Sequence, residues 1–438
     1  MRELKNFLLS KVLFDVGRFK GAFFTRNRVF SFKSIILFII NLAKKSLHLE
    51  LRDFTKMCGV KSVTKQAFSK ARLKLNPIVF KLLNEKFVSE FYTDNDFKTF
   101  EGFRVLAIDG STIQLPSSNE IVSFYGCCSG SAGLALPMAQ SSTLFDVFNK
   151  ITVDSVISPY KASEKNQALE LLKSLVSINK KIDFDQGNIK DLLIFDRGYP
   201  SMQLIIELIR NKKDFLMRCP SNFINPIREA RKKGKVDQII EIEFAKLSEP
   251  TLRSLKKTIS NFDENKKIKL RVLCLGLSSG EKELLLTTVL EKNHTPIKLF
   301  KLYQKRWDIE ENYKFIKSIA AVENFSGKSK ITVEQDFYAT VLTCNIASML
   351  MQEAEDEINE IMKEKKLKYR YKVNKNIALG LLKNELIEVL IFDKDLNQFC
   401  EQIKLQMQKA LVPVRPNRSF QRSKSIKRNH APNRRSCL

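Results

Sequence analysis

Two short apolar runs, each ending on an aspartate, constrain the fold of this chain most. Arg104–Ile108 precedes Asp109, and Leu192–Phe195 precedes Asp196. Short, mostly apolar runs bounded by turn residues are typical of buried strands, and open α/β sheets bind ligands at the carboxyl ends of their strands. Each aspartate alone is also typical of a turn or cap residue. Together the two runs predict an α/β fold that carries two carboxylates at one edge of its sheet.

The segment between these runs predicts how the two strands are connected. Thr143–Val147 and Ile151–Ile157 alternate in polarity around a turn at 148–150, which is typical of a β-hairpin. Ser163–Ile178 carries its leucines on one helical face. The order strand, hairpin, helix, strand predicts a ribonuclease H-like core.

A charged helix near residue 300 supplies a third carboxylate. Thr295 fits an N-cap and Pro296 fits the first helical position, where a missing N–H costs nothing. At about 100° per residue, four side chains of one continuous helix fall within roughly a 60° arc. These are Tyr303, Arg306, Glu310 and Lys317. On spacing alone this face is also typical of a solvated surface that carries i,i+4 ion pairs.

The excess of basic residues predicts a polyanionic partner. Lys+Arg number 75 and Asp+Glu 48, which gives a net charge of +27, and basic surfaces release counterions when they bind nucleic-acid phosphates. The longest apolar run, Ser34–Ala43, is about half of the roughly 20 residues that a membrane span needs. The N-terminus also lacks the features of a secretory signal. The chain is therefore expected to act in the cytoplasm without a membrane partner.

The available metal ligands favour a hard cation. The chain has three histidines and eight scattered cysteines without a C-x-x-C pair, which argues against a zinc site or a disulfide framework. A catalytic metal must then be held by carboxylates, the ligands that Mg²⁺ prefers. Asp109, Asp196 and Glu310 cannot lie close together in the ionised state without cations. Two Mg²⁺ ions would neutralise them and clamp the attacking and leaving oxygens of a phosphodiester.

The N-terminal region, residues 1–98, is basic and mostly helical. Within it the segments 54–59 and 64–75 resemble a helix-turn-helix whose second helix is basic. An ordinary helical hairpin fits this pattern equally well. The region is interpreted as a helical DNA-binding region.

The rest of the chain divides into a core, an insertion and two C-terminal regions. A catalytic core is predicted at 99–218 and 292–365, and the short strands of 219–291 predict a β-rich insertion between its two parts. A helical region is expected at 366–411. Residues 412–438 are rich in arginine and lysine and contain no acid. They predict a disordered basic tail, which either orders on nucleic acid or only aids solubility.

The three carboxylate motifs resemble those of IS4-type bacterial insertion-sequence transposases, within the DDE superfamily. Ile108–Ser111 matches the first motif and Phe195–Tyr199 matches the second. The third motif is the most specific because four residue types keep the family's Y-(2)-R-(3)-E-(6)-K spacing. They are Tyr303, Arg306, Glu310 and Lys317.

The resemblance implies cut-and-paste transposition by metal-dependent DNA cleavage and strand transfer. Asp109, Asp196 and Glu310 would be the catalytic residues and would hold two Mg²⁺ or Mn²⁺ ions. The residues that it implies for DNA contacts are Tyr303, Arg306, Lys317, Arg197 and Tyr199. The partners would be double-stranded DNA, both the terminal inverted repeats and the target, and a second copy of the chain in the DNA complex. The protein would then work at the bacterial nucleoid.

The position of the chain's single tryptophan departs from some relatives. Those proteins place a tryptophan in the inserted β-domain, where it stacks on a flipped base during formation of a DNA hairpin. Here the only tryptophan is Trp307, within the third motif. Either the hairpin step is absent or another side chain performs the stacking. Two other functions fit the same motifs, namely an inactive DNA-binding protein derived from a transposase and a ribonuclease H-like nuclease.

Overall fold

The computed structural model describes residues 2–26, 28–42, 45–93, 96–129, 135–182, 189–276, 282–363, 369–392 and 395–415. Its central sheet contains nine strands in the described residues. They are β1 Phe103–Gln114, β2 Cys127–Ser129, β3 Ala135–Asp146, β4 Ile151–Pro159, β5 Lys190–Phe195, β6 Asp214–Arg218, β7 Asp237–Glu243, β8 Lys267–Gly276 and β9 Lys282–Thr287.

The core of this sheet has the strand order that the sequence predicted. β1, β3 and β4 form an antiparallel meander, β5 lies parallel to β1, and β6 lies parallel to β5. The short β2 pairs with the start of β3. The order β4-β3-β1-β5-β6 is the ribonuclease H-like arrangement, so the predicted fold class is confirmed.

Both faces of the sheet are covered, which explains why β1 and β5 have mostly apolar sequences. Leu106 and Ile108 of β1 face one apolar core, and Val105 and Ala107 face the other. The helices within this part of the chain are α7 Asn119–Tyr125, α8 Glu164–Lys181, α9 Met202–Arg210, α10 Asn225–Lys233, α11 Glu249–Thr258, α12 Pro296–Gln304, α13 Trp307–Lys314 and α14 Lys330–Lys363. The leucines of α8 pack on the first face, and α12 and α13 pack on the second.

The predicted β-rich insertion contributes strands to the same central sheet. β9 pairs antiparallel with β6, for example Leu216 with Thr287, and β8 and β7 follow outward. The segment also contains the helices α10 and α11, which the sequence did not indicate. The insertion therefore widens the central sheet within the part of the chain that the structure describes.

The N-terminal helices pack on the long helix α14. They are α1 Arg2–Leu8, α2 Lys11–Val16, α3 Phe32–Ile40, α4 Leu47–Met57, α5 Lys65–Arg72 and α6 Ile78–Thr93. Arg72 of α5 is buried and donates hydrogen bonds to Gln335 (2.9 Å) and Asp336 (2.8 Å) of α14. Thr64 caps α5, because its side chain accepts a hydrogen bond from the amide of Ala67.

The prediction of one continuous helix through Lys317 is wrong. α12 ends at Gln304 and α13 begins at Trp307. The amides of Arg306 and Asp308 bond to the carbonyls three residues before them, as in a tight 3₁₀ turn. A π-helical turn, Phe315–Ile319, then follows α13. The face is therefore shaped by two local changes of helical pitch.

The C-terminal part forms two helices and a two-stranded ribbon. The helices are α15 Lys375–Phe392 and α16 Leu396–Gln408, and the strands are β10 Arg370–Val373 and β11 Leu411–Val414. The predicted disordered tail began at residue 412, which is wrong for the residues of β11 because they pair with β10. Residues 416–438 of that tail lie outside the described residues. In the described part of the chain, no helix is both long enough and apolar enough to cross a membrane.

Candidate active site

The first two carboxylates lie side by side at one edge of the sheet. Ile108 and Phe195 form the last paired position between β1 and β5, and each is followed by its aspartate, Asp109 or Asp196. Parallel strands end at the same edge, so the pairing register alone places the two aspartates next to each other. Both side chains are only partly exposed.

Arg306 connects Asp109 to the third carboxylate. Its Nη1 lies 3.1 Å from Asp109 Oδ2, and its Nη2 lies 3.0 Å from Glu310 Oε1. The guanidinium is buried and lies over the Trp307 ring at 5.0 Å. The turn between α12 and α13 thus aims Arg306 at the sheet edge while Glu310, in the first turn of α13, faces the same point.

Asp196 is linked to the same turn through Tyr303. The Tyr303 hydroxyl donates a hydrogen bond of 3.3 Å to Asp196 Oδ1. Because α12 ends just after Tyr303, its side chain and that of Arg306 reach neighbouring carboxylates. The structure therefore brings Asp109, Asp196 and Glu310 together around one arginine and one tyrosine.

The carboxylates at this edge are short of positive charge. The pKa of Asp109 is raised to about 6, chiefly by burial and also by the charges of Asp196 and Glu310, while the Gly110 amide and Arg306 oppose the shift. Burial by itself lowers the pKa of Arg306, but Asp196 and Asp109 outweigh burial, so that pKa is raised. A site that resists ionisation of its own aspartate is one that a cation would stabilise.

The donor set fits a hard divalent cation. All three groups are carboxylates, which suit Mg²⁺ or Mn²⁺. Separately, the buried Nε of Arg306 is a donor without a hydrogen-bond partner among the described residues. In the present arrangement the described residues do not hold three acidic, histidine or cysteine side chains close enough to surround an ion. Arg306 instead supplies the positive charge between Asp109 and Glu310.

The side chain of Lys317 contacts β1, the strand that carries Asp109. Its ammonium group donates hydrogen bonds to Ser111 Oγ (2.7 Å) and to the carbonyl of Thr112. Burial lowers the pKa of Lys317. The fourth residue of the motif therefore ties the π-helical turn to β1, two residues beyond Asp109.

The two residues predicted beside Asp196 differ in accessibility. Arg197 is exposed. A second arginine, Arg218, lies at the end of the neighbouring strand β6, where it is half-exposed and pairs with Glu283 at 2.8 Å. Tyr199 is 1% exposed and its ring packs against Phe195. A ring with so little exposed surface offers DNA no contact in this structure, which is at odds with its predicted role.

Sequence reasoning missed two residues that hold the first motif in place. The Tyr313 hydroxyl donates a hydrogen bond of 2.9 Å to the carbonyl of Asp109, and Ser142 Oγ donates one of 3.2 Å to the same carbonyl. Tyr313 lies three residues after Glu310, on the same side of α13. That spacing was the available signal, since residues at i and i+3 share a helix face.

Comparison with known proteins identifies the central part of the chain. A family model described as "Transposase DDE domain" matches residues 101–346, a range that contains Asp109, Asp196 and Glu310. No curated protein matches the sequence significantly. Among solved structures, the piggyBac transposase synaptic complex with hairpin DNA is similar with a TM-score of 0.41 and 10% identity, over 96% of this chain and 84% of that chain.

Proposed function

The chain belongs to the transposase DDE domain family, and we propose that it moves an insertion sequence by a cut-and-paste reaction. It is a DNA transposase, and Asp109, Asp196 and Glu310 are proposed as its catalytic residues. The observation that carries this assignment is the meeting of three carboxylates at one sheet edge, with Arg306 bridging two of them. An IS4-type element is the proposed substrate because the third motif keeps that family's spacing.

Transposases of this family generally use divalent metal ions, and Mg²⁺ or Mn²⁺, two ions in all, is the proposed cofactor here. Such ions supply a nucleophilic water and stabilise the charge on the leaving oxygen. Asp109, Asp196 and Glu310 would hold them. The high pKa of Asp109 supports this proposal, because a bound cation would remove the cost of ionising it.

The proposed reaction begins with cleavage at the end of the element. A water oxygen attacks the phosphorus, the bond to the 3′ oxygen breaks, and that oxygen takes up a proton. The freed 3′ hydroxyl then loses its proton and attacks a phosphorus of the target DNA. The bond from that phosphorus to the 3′ oxygen of the target strand breaks, and the released 3′ oxygen takes up a proton. Arg306 and Tyr303 would contact the phosphate, and their present contacts with carboxylate oxygens support this proposal. The exposed Arg197 would hold the neighbouring strand.

The basic N-terminal region is proposed to bind DNA through a groove beside α5. The groove has a volume of about 660 Å³. Its aromatic and basic lining includes Phe23, Phe24, Arg26, Arg28, Lys70 and Lys74. Aromatic walls with a cationic rim suit a nucleic acid. Lys70→Ala should weaken binding of the element's end DNA and reduce its salt dependence, whereas Lys173→Ala on α8 should change neither.

A second copy of the chain is the proposed protein partner. Bringing two ends of an element together requires two active sites on one DNA complex. Light scattering of the chain with end DNA is expected to give the mass of two copies. A complex that keeps the mass of one copy under cleaving conditions would contradict this assembly.

The decisive experiment compares two neighbouring glutamates of α13. Glu310→Ala should bind the element's end DNA and fail to nick it in Mg²⁺. Glu311→Ala is the matched control, since Glu311 is exposed and pairs with Lys314, and it should cleave like the unchanged chain. Cleavage by Glu310→Ala would refute the assignment of the three carboxylates. Binding without cleavage by the unchanged chain would favour an inactive DNA-binding protein.

A further inference from the structure

A fourth carboxylate approaches β1 from the opposite side of the sheet. Glu164 is the first residue of α8, directly after the core hairpin, and its side chain is exposed. Its Oε1 accepts a hydrogen bond of 2.9 Å from Gln140 Nε2. No lysine or arginine forms an ion pair with it in the part of the chain that the structure describes.

Gly110 makes room for this approach. A Cβ atom built on Gly110 would lie 2.7 Å from Gln140 Nε2 and 2.9 Å from Glu164 Oε1, which is closer than real Cβ contacts. Gly110 does not have a positive φ, so the space taken by these two side-chain ends, and not the backbone conformation, favours a glycine here. The residue next to Asp109 is thus small in order to seat the Gln140–Glu164 pair against the strand.

A buried amide beside Glu164 has an unused acceptor. Gln167 lies one turn further along α8 and is 2% exposed. Its Nε2 donates to the carbonyl of Gln140 at 3.3 Å, while its Oε1 has no hydrogen-bond partner among the described residues. A buried acceptor without a donor is costly unless a water or ligand satisfies it. Gln140 thus contacts both residues, through its side-chain amide at Glu164 and its backbone carbonyl at Gln167, while Gln167 Oε1 stays without a donor among the described residues.

Glu164 and Asp109 act on the same two buried hydroxyl groups. Burial is the main cause that raises the pKa of Tyr199 and of Tyr313, and the charges of Asp109 and Glu164 add to it in both. Tyr313 in turn holds the carbonyl of Asp109. The two carboxylates thus flank one short stretch of β1.

We propose that Glu164 is a fourth acidic residue of the active site, which binds a water molecule of the hydrated divalent cation held by Asp109. A cation-bound water donates hydrogen bonds, which Gln167 Oε1 lacks among the described residues and which a carboxylate holding one hydrogen bond can still accept. Gln140 and Gly110 act as positioning residues, because they fix where the carboxylate stands. This inference rests on the proposed function, since it requires a cation at Asp109.

Binding of Mn²⁺ to the full-length chain, measured by water-proton relaxation, tests the proposal without requiring catalysis. Glu164→Gln should weaken Mn²⁺ binding about tenfold, as replacement of groups that orient a metal's ligands commonly does. Glu170→Gln is the matched control, an exposed glutamate on the same helix, and should bind like the unchanged chain. Both variants should keep the thermal midpoint of the unchanged chain, because the replaced side chains are exposed.

The outcomes separate this inference from the proposed function. If Asp109→Asn lowers Mn²⁺ affinity and Glu164→Gln does not, the fourth carboxylate is refuted and the three-carboxylate site stands. If Glu170→Gln weakens binding as much as Glu164→Gln, the effect is only one of overall charge and the proposal is also refuted. If Asp109→Asn binds Mn²⁺ like the unchanged chain, or if the unchanged chain binds none, the site assignment itself fails.

Discussion

The two ends of the paired strands β1 and β5 carry opposite charge arrangements. At the amino-terminal end Arg104 pairs in register with Asp191, and their side chains are fully buried at 2.6 Å. Lys213 completes the neutralisation of Asp191 at 2.7 Å. At the carboxyl-terminal end the corresponding positions are Asp109 and Asp196, two residues of the same sign. One end of the sheet is balanced internally, and the other depends on Arg306 and on groups from outside.

The pKa values follow this difference. Burial alone would raise the pKa of Asp191, but Arg104 and Lys213 outweigh it and hold that pKa below its ordinary value. Burial raises the pKa of Asp109 to about 6, and the partial pairing with Arg306 does not reverse the shift. The first end contributes stability to the fold, whereas the second lowers stability in exchange for a site that attracts cations.

The largest expected effect is on catalysis at the unbalanced end. Asp196→Asn should reduce the rate of DNA nicking by about 10³-fold or more, because a lost metal ligand removes several kcal/mol of transition-state stabilisation. The thermal midpoint without divalent ions should be unchanged or raised, since a repulsive charge is gone. Single-turnover nicking of end DNA and calorimetry measure the two quantities. A rate within tenfold of the unchanged chain would show that the two ends do not differ in this way.

A substitution at the balanced end should lower the free energy of unfolding. Arg104→Met removes one partner of a buried ion pair and leaves Asp191 with the charge of Lys213 and the hydrogen bond from Asn179, at a cost of about 3–5 kcal/mol. Urea unfolding measures this loss. The rate of nicking per folded molecule should not change. A destabilisation below about 1 kcal/mol would mean that the Arg104–Asp191 pair contributes little to the stability of the fold.

Replacement of Asp109 should stabilise the chain at neutral pH. A carboxyl group whose pKa is higher in the folded state costs no stability below its unfolded pKa of about 4, and the cost grows as the pH rises to about 6. Asp109→Asn should therefore gain roughly 1–2 kcal/mol at pH 7.5 and gain little at pH 4. Unfolding measured across this range without divalent ions tests the sign. A loss of stability at pH 7.5 would show that the pairing with Arg306 outweighs burial.

The smallest expected effect comes from the support of Asp109. Tyr313→Phe removes one hydrogen bond to the Asp109 carbonyl while Ser142 retains the other, so the expected loss is about 1 kcal/mol. The nicking rate should fall less than tenfold. Thermal unfolding and single-turnover nicking measure both effects. A loss of nicking as large as that of Asp196→Asn would place Tyr313 among the catalytic residues.

Local sequence patterns were sufficient for the strands that carry the site. β1 and β5 stand out because apolar residues fill both of their faces, and the hairpin between them shows regular alternation. The pairing of β9 with β6 could not be predicted, because the register of distant strands depends on contacts that the sequence does not display.

The two predictions near the site that disagree with the structure concern features that tertiary contacts determine. The spacing of Tyr303 and Arg306 suits a continuous helix, but a tight turn separates α12 from α13 where these side chains contact Asp196 and Asp109, two residues far away in sequence. Tyr199 follows a catalytic motif and looks like a contact residue, but the surrounding strands bury it. Burial of a polar side chain next to a site is set by neighbours far away in sequence.

The docking of α5 on α14 has a consequence for synthesis of the protein. Arg72 and Asp336 are 264 positions apart, and α14 has 34 residues, about 51 Å in length. At roughly 5–20 residues per second, the ribosome needs about 13 to 53 s to make the partner of Arg72. During that time the apolar surface of the N-terminal helices that later packs on α14 stays exposed, where chaperones and proteases can bind it and where it can aggregate. Expression level should therefore depend on how fast the middle of the messenger is translated.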